Sequence, residues 1–132
     1  MKKKQTGFTL MEVMLTVGIL AIIASIAFSS YQDNVDTSRR ADGKAVLADI
    51  GQQLERCYTK FGRYNHASCT ATGKASENNF YAGTITATGA TTYSLTATAQ
   101  NGQERDTECG NLTIDQSGLQ GISGTGSVAD CW

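Results

Sequence analysis

The sequence predicts an α+β protein: a long N-terminal helix packed on a small antiparallel β-meander. Three observations predict it. Residues 8–28 form a nearly uncharged apolar run, the apolar residues from Val46 to Phe61 recur every three or four positions, and segments 80–88, 92–99 and 111–115 alternate with period two. The chain has 132 residues, 40% of them hydrophobic and 17% charged, which suits one small domain with its own core and excludes a multi-span membrane protein or a disordered polymer.

The apolar run from Phe8 to Phe28 holds 21 residues and one charge, Glu12. As a helix rising ~1.5 Å per residue it reaches about 31 Å, close to the ~30 Å hydrocarbon core of a bilayer. Lys2, Lys3 and Lys4 precede it and place its N-terminus on the cytoplasmic side. A cleaved secretory signal shares the basic start, but its apolar region is shorter, and here Ala27-Phe-Ser-Ser-Tyr31 continues into a helical pattern. A carboxylate within such a span costs roughly 3 kcal/mol on insertion scales, so Glu12 needs a partner or a proton. Residues 8–38 contain no Lys, Arg or His. A chain cut between Gly7 and Phe8 would supply a free α-amine instead.

From Gln32 to about Phe61 the helix turns amphipathic. Val46, Leu47, Ile50, Leu54, Cys57, Tyr58 and Phe61 form a core-facing stripe, while Asp33, Asp36, Arg39, Arg40, Asp42, Lys44, Asp49, Glu55, Arg56 and Lys60 are expected mostly elsewhere. Residues 62–79 carry few apolar side chains and read as a loop. In the strands that follow, Tyr93, Leu95 and Ala97 share one face, as do Leu112 and Ile114. The tail 117–129 is rich in Gly and Ser and ends in Asp130-Cys-Trp132.

The motif Lys4-x-x-Gly7-Phe8-Thr-Leu-Met-Glu12, followed by the apolar run, resembles the class III leader and N-terminus of bacterial type IV prepilins. The resemblance implies a leader over residues 1–7, a membrane-spanning and filament-core segment over 8–30, and a periplasmic or extracellular pilin domain over 31–132. It also implies cleavage after Gly7 and N-methylation of Phe8 by a prepilin peptidase. Glu12 would then pair with the Phe8 amine of a neighbouring subunit and set the register of assembly. Tyr31 matches the aromatic that usually follows the apolar segment. Two positions depart from the pattern: Ala21 and Ser29 stand where members usually carry Gly and Pro, which predicts a straighter helix.

Cys57, Cys69, Cys109 and Cys131 allow three disulfide connectivities. No CxxC pair supports a zinc site, and an outward-facing domain lies in an oxidising compartment. Short loop closure favours Cys57–Cys69 and Cys109–Cys131, each worth about 3 kcal/mol. In the second half, Thr91-Thr-Tyr-Ser-Leu-Thr-Ala-Thr98, Cys109-Gly-Asn-Leu-Thr-Ile-Asp-Gln-Ser-Gly118 and Asp130-Cys-Trp132 resemble the PilE-type minor pilins of gamma-proteobacteria. The Cys109–Cys131 pair fits the disulfide-bounded C-terminal region of that group; Cys57–Cys69 is not general to it.

These features point to a structural subunit of a type IV pilus, assembled into or priming a filament for motility, adhesion or surface attachment. The expected partners are other pilin subunits, the prepilin peptidase, the inner-membrane assembly machinery and the inner membrane itself. No cofactor or metal is implied. The alternatives are a type II secretion pseudopilin and a DNA-uptake minor pilin. Residues 65–132 carry only Lys74 and Arg105 against six acidic groups, which argues against a broad phosphate-binding surface there. An enzyme is disfavoured: His66 is the single histidine, in an expected loop, and no P-loop, HExxH or GxGxxG is present.

Overall fold

The computed structural model describes residues 7–69 and 71–132, so residues 1–6, most of the expected leader, lie outside the described residues. Helix α1 spans Leu10–Phe61. The Glu12 backbone N–H donates to Thr9 Oγ1 at 3.2 Å, a capping bond that satisfies one free amide of the first turn. Its C-terminus closes at Gly62, whose φ of +70° continues the chain in the left-handed region and lets its N–H reach the Tyr58 carbonyl at 2.7 Å. The backbone is helical through both Ala21 and Ser29.

The described residues form two units, one ending at Val35 and one comprising Asp36–Trp132. In the first, every large apolar side chain from Phe8 to Phe28 is exposed, with Phe8 at 85%. The second contains the sheet. Its strands are β1 (Lys74–Ala75), β2 (Tyr81–Thr88), β3 (Tyr93–Ala99), β4 (Leu112–Asp115) and β5 (Gln120–Ile122), followed by a short helix α2 (Val128–Cys131). Order in the sheet equals order in the chain, and every pair is antiparallel. β2 carries an irregularity between Ile85 and Ala87 that shifts its pairing with β3.

The α+β expectation and the three principal strands agree with this structure; β1, β5 and α2 were not expected. β1 and β5 have two and three residues, too short for an alternating pattern to register. Helix α2 is set by its cap: Ser127 Oγ accepts from the Asp130 N–H at 3.2 Å and donates to Asp130 Oδ2 at 2.6 Å.

Val46, Leu47, Ile50 and Leu54 of α1 are buried against Tyr81, Tyr93, Leu95, Ala97 and Leu112 of the sheet. Two glycines set how closely these layers approach. A Cβ on Gly43 would sit 2.9 Å from the Tyr81 ring, and one on Gly83 would sit 2.8 Å from Ile50 Cδ1. The stripe on α1 ends at Cys57. Tyr58 is exposed, its ring 4.7 Å from that of Tyr64, a buried residue within the stretch expected to be loop. Tyr64 in turn meets Tyr93 edge-on at 4.9 Å.

Candidate assembly surfaces

Gly7 and Phe8 precede α1, with nothing within 4 Å of a Cβ built on Gly7. The Glu12 carboxylate has no hydrogen-bond or ionic partner among the described residues, in keeping with the lack of any cation from 8 to 38. A subunit of this kind presents an apolar surface and one uncompensated acid.

In the second unit, disulfides join Cys57 to Cys69 and Cys109 to Cys131, each with Cα atoms 5.6 Å apart. The first fastens the end of α1 to the loop that follows. The second joins the loop before β4 to α2. Around it the backbone pairs 107–109 with 124–126: Gly124 N–H donates to Cys109 O, Thr125 to Thr107 O and Gly126 to Glu108 O. Trp132 Nε1 donates to Gly121 O at 3.0 Å, and Lys44 Nζ donates to Trp132 O at 2.8 Å. Burial pushes the Lys44 ammonium below its ordinary range, with the Arg40 charge adding to the effect.

The strongest polar feature was not anticipated. Arg40 is buried and forms a bidentate pair with Asp106, Nε to Oδ2 at 2.7 Å and Nη2 to Oδ1 at 2.9 Å, while Nη2 also reaches Glu108 at 3.3 Å. Gln103 Nε2 and the Cys109 N–H donate to the same carboxylate at 3.0 and 3.2 Å. Burial alone would raise the Asp106 carboxyl; the guanidinium and these donors outweigh it and hold it below the usual carboxylate range. Hydrogen bonding to Asp106 raises Arg40. The sequence did contain a signal: positions 40, 43, 47, 50 and 54 follow three-four spacing, so Arg40 falls on the core stripe and not among the solvated charges.

Asp106, Glu108 and Cys109 place potential metal-ligand atoms within 4.8 Å of one another, but Cys109 is in a disulfide and both acids face Arg40. Asp106 and Cys109 are committed to the fold, and Glu108 is the exposed outer partner of Arg40. Lys74 pairs with Asp49, and Arg105 with Asp36 at 2.8 Å, so the two cations of the distal half are both neutralised. His66 is half-buried, its ring stacked on Phe61 at 4.0 Å.

A long helix with an apolar first half, carrying a meander closed by a disulfide, defines a pilin. Comparison with known proteins agrees. The model of the family described as type IV minor pilin ComP, DNA uptake sequence receptor, matches residues 29–113, and that of the prokaryotic N-terminal methylation motif matches residues 2–28. The chain belongs to the type IV minor pilin family. Among curated relatives, the fimbrial protein EcpC of Eikenella corrodens is 28% identical over 102 residues, covering 76% of this chain and 67% of that one. The type IV major fimbrial protein FimA of Dichelobacter nodosus is 45% identical over 49 residues, 37% of this chain and 30% of FimA. Among solved structures, a type IV pilin of Shewanella oneidensis has a TM-score of 0.53 at 28% identity, covering 74% of this chain and 97% of that one. The Neisseria meningitidis non-core minor pilin PilV has a TM-score of 0.56 at 18% identity, covering 71% and 92%, and shares the fold. The protein is a structural subunit of a type IV pilus and assembles with other pilin subunits.

Proposed function

We propose that the chain is made as a single-span inner-membrane precursor with its N-terminus cytoplasmic and its domain 31–132 outside. Prepilin peptidase cuts between Gly7 and Phe8 and methylates the new Phe8 amine. The inner-membrane assembly machinery then draws segment 8–30 into a helical bundle, where Glu12 pairs with the Phe8 amine of a neighbour. The subunit catalyses no reaction. One observation carries this reading: the wholly exposed apolar surface from Phe8 to Phe28 with an unpartnered Glu12 inside it. The apolar side chains find cover first in lipid and then in neighbouring helices, and the carboxylate finds its cation only in a second chain. The fimbrial relatives favour a pilus over a type II secretion machine.

Glu12→Ala is expected to be processed normally, by intact mass of the membrane-extracted protein, but to be lost from sheared filaments by at least tenfold. Normal incorporation would reject the register role. The same mass should show loss of residues 1–7 and one added methyl.

A second reading, reception of DNA during uptake, has the family model's description in its favour. Against it stand the acidic balance of residues 65–132 and the pairing of Lys74 and Arg105. Gel retardation of duplex DNA at low and moderate salt separates the two, since phosphate contacts weaken steeply with salt.

A further inference from the structure

Charge within Asp36–Trp132 is segregated along α1. At its C-terminal end Arg56, Lys60 and Arg63 are all exposed, and none has a carboxylate within ion-pair distance among the described residues. Lys60 lies over the Phe61 ring at 5.1 Å. The nearby acid, Glu55, accepts the Tyr64 hydroxyl at 2.9 Å. This end carries a surplus of two positive charges.

The opposite end is the loop through Glu104 and Glu108, both exposed. Arg105 is spent on Asp36, and Arg40 is shared between the buried Asp106 and the exposed Glu108, so these six charged groups, Glu104 included, carry a net of two negative charges. Arg40, which anchors this loop, lies sixteen residues before Arg56 on the same helix, about 24 Å at ~1.5 Å per residue. That is about three Debye lengths at physiological ionic strength, so the two ends do not neutralise each other within one chain. Both are rigidly mounted: the cationic end by Cys57–Cys69 and the Gly62 cap, the acidic loop by Arg40–Asp106 and Cys109–Cys131. No backbone ordering is needed for their use; the cost of docking is confined to the side chains.

We propose that the Arg56, Lys60 and Arg63 end of one copy docks on the Glu104 and Glu108 loop of a second copy of this chain. The inference rests on the filament reading above and specifies the surfaces that reading leaves open. The two patches differ, so the contact is heterologous: each copy keeps one free cationic and one free acidic end, the condition for an open array. Such charge pairing selects partner and orientation more than it adds strength.

Zero-length carbodiimide coupling tests it on the full-length chain in detergent, with isotopically light and heavy copies mixed so that intermolecular products are identified by mass. An amide joining Lys60 to Glu104 or Glu108 between copies is expected, falling at least fivefold in moderate salt. The double variants Lys60→Glu/Arg63→Glu and Glu104→Lys/Glu108→Lys should each reduce copy-to-copy coupling at least tenfold. The quadruple exchange should restore it to within threefold, which a folding defect would not. Failure of the exchange to restore coupling, or coupling of Lys60 elsewhere, overturns the proposal. So does loss of DNA retardation in Lys60→Glu/Arg63→Glu with coupling unchanged, which would assign these cations to phosphate. Absence of the wild-type chain from sheared filaments removes the filament reading as well; its presence there without the Lys60 coupling removes only this contact.

Discussion

Arg40 and Asp106, sixty-six residues apart, meet in a buried bidentate pair, and the Asp106 carboxylate also accepts the backbone N–H of Cys109. One acid therefore ties the middle of α1 to the residue that anchors the second disulfide. Removing one partner leaves the other charge buried without compensation. Arg40→Ala and Asp106→Ala are each expected to destabilise the chain by about 3–5 kcal/mol, measured by denaturant unfolding of the full-length protein in detergent. Arg40→Met paired with Asp106→Leu should recover much of that loss.

The same carboxyl sets a pH dependence. Its folded value lies below its unfolded one, so its contribution is fully present above the ordinary carboxylate range and is lost as pH falls through the folded value. The unfolding midpoint should drop on acidification below about pH 4, and less steeply in Asp106→Asn than in the wild type.

At alkaline pH the sign reverses. Burial, with Glu55 nearby, pushes Tyr64 and Tyr93 up to about 12. A raised phenol favours the folded state fully below its unfolded value near 10, and that contribution is lost as pH rises through about 12. Tyr81 is likewise raised by burial, so Tyr64, Tyr81 and Tyr93 should all ionise late in an ultraviolet titration, and Tyr64→Phe should remove one late-titrating group.

The two disulfides should differ in reach. Cys109–Cys131 spans 22 residues of short strands and turns, and Cys57–Cys69 spans 12 residues beyond a well-packed helix. Cys109→Ser/Cys131→Ser is expected to lose about 3–5 kcal/mol and to open residues 110–130 to proteolysis. Cys57→Ser/Cys69→Ser should lose nearer 2–3 kcal/mol and leave β4 and β5 protected.

Gly43 is one of the two glycines that set how closely helix and sheet approach. Alanine gains ~1 kcal/mol over glycine in a helix, but the added Cβ meets the Tyr81 ring at 2.9 Å. Overpacking of this kind costs about 1–3 kcal/mol, so Gly43→Ala should destabilise on balance, and Gly43→Ala with Tyr81→Leu should recover. Urea midpoints of the wild type and these two variants decide it.

How far the sequence could be read depended on how many residues carried each signal. The apolar run and the stripe Val46–Leu54 span several helical turns, and the alternations at 81–88 and 93–99 span seven or eight residues, so all of them are visible. β1 and β5 are held by pairing with neighbours already in place, an effect that no local pattern carries. Arg40 carries the charge of a surface residue at a core position, because the Asp106 that satisfies it is distant in sequence and becomes adjacent only through the fold. Tyr64 was hidden for a related reason, its burial arising from Tyr58 and Tyr93 on different elements. Gly7, Phe8 and Glu12 were legible as a motif, but the partner of Glu12 belongs to another molecule.

Because the strands lie side by side in the order in which they occur, the sheet can form by successive local closures: β2 onto β3, then β4, then β5. Short-range pairings of this sort are fast, while the slow events are those that join remote parts of the chain. The union of the α1 stripe with the sheet and the closing of Asp106 onto Arg40 are of the second kind. The apolar stripe from Val46 to Leu54 gains most of its cover from β2 and β3, but Leu112, the Asp106 that satisfies the buried Arg40 and the Cys109–Cys131 bridge all come later. Completion of the C-terminal third, rather than formation of the helix, is therefore the step that commits a newly made subunit to its folded state.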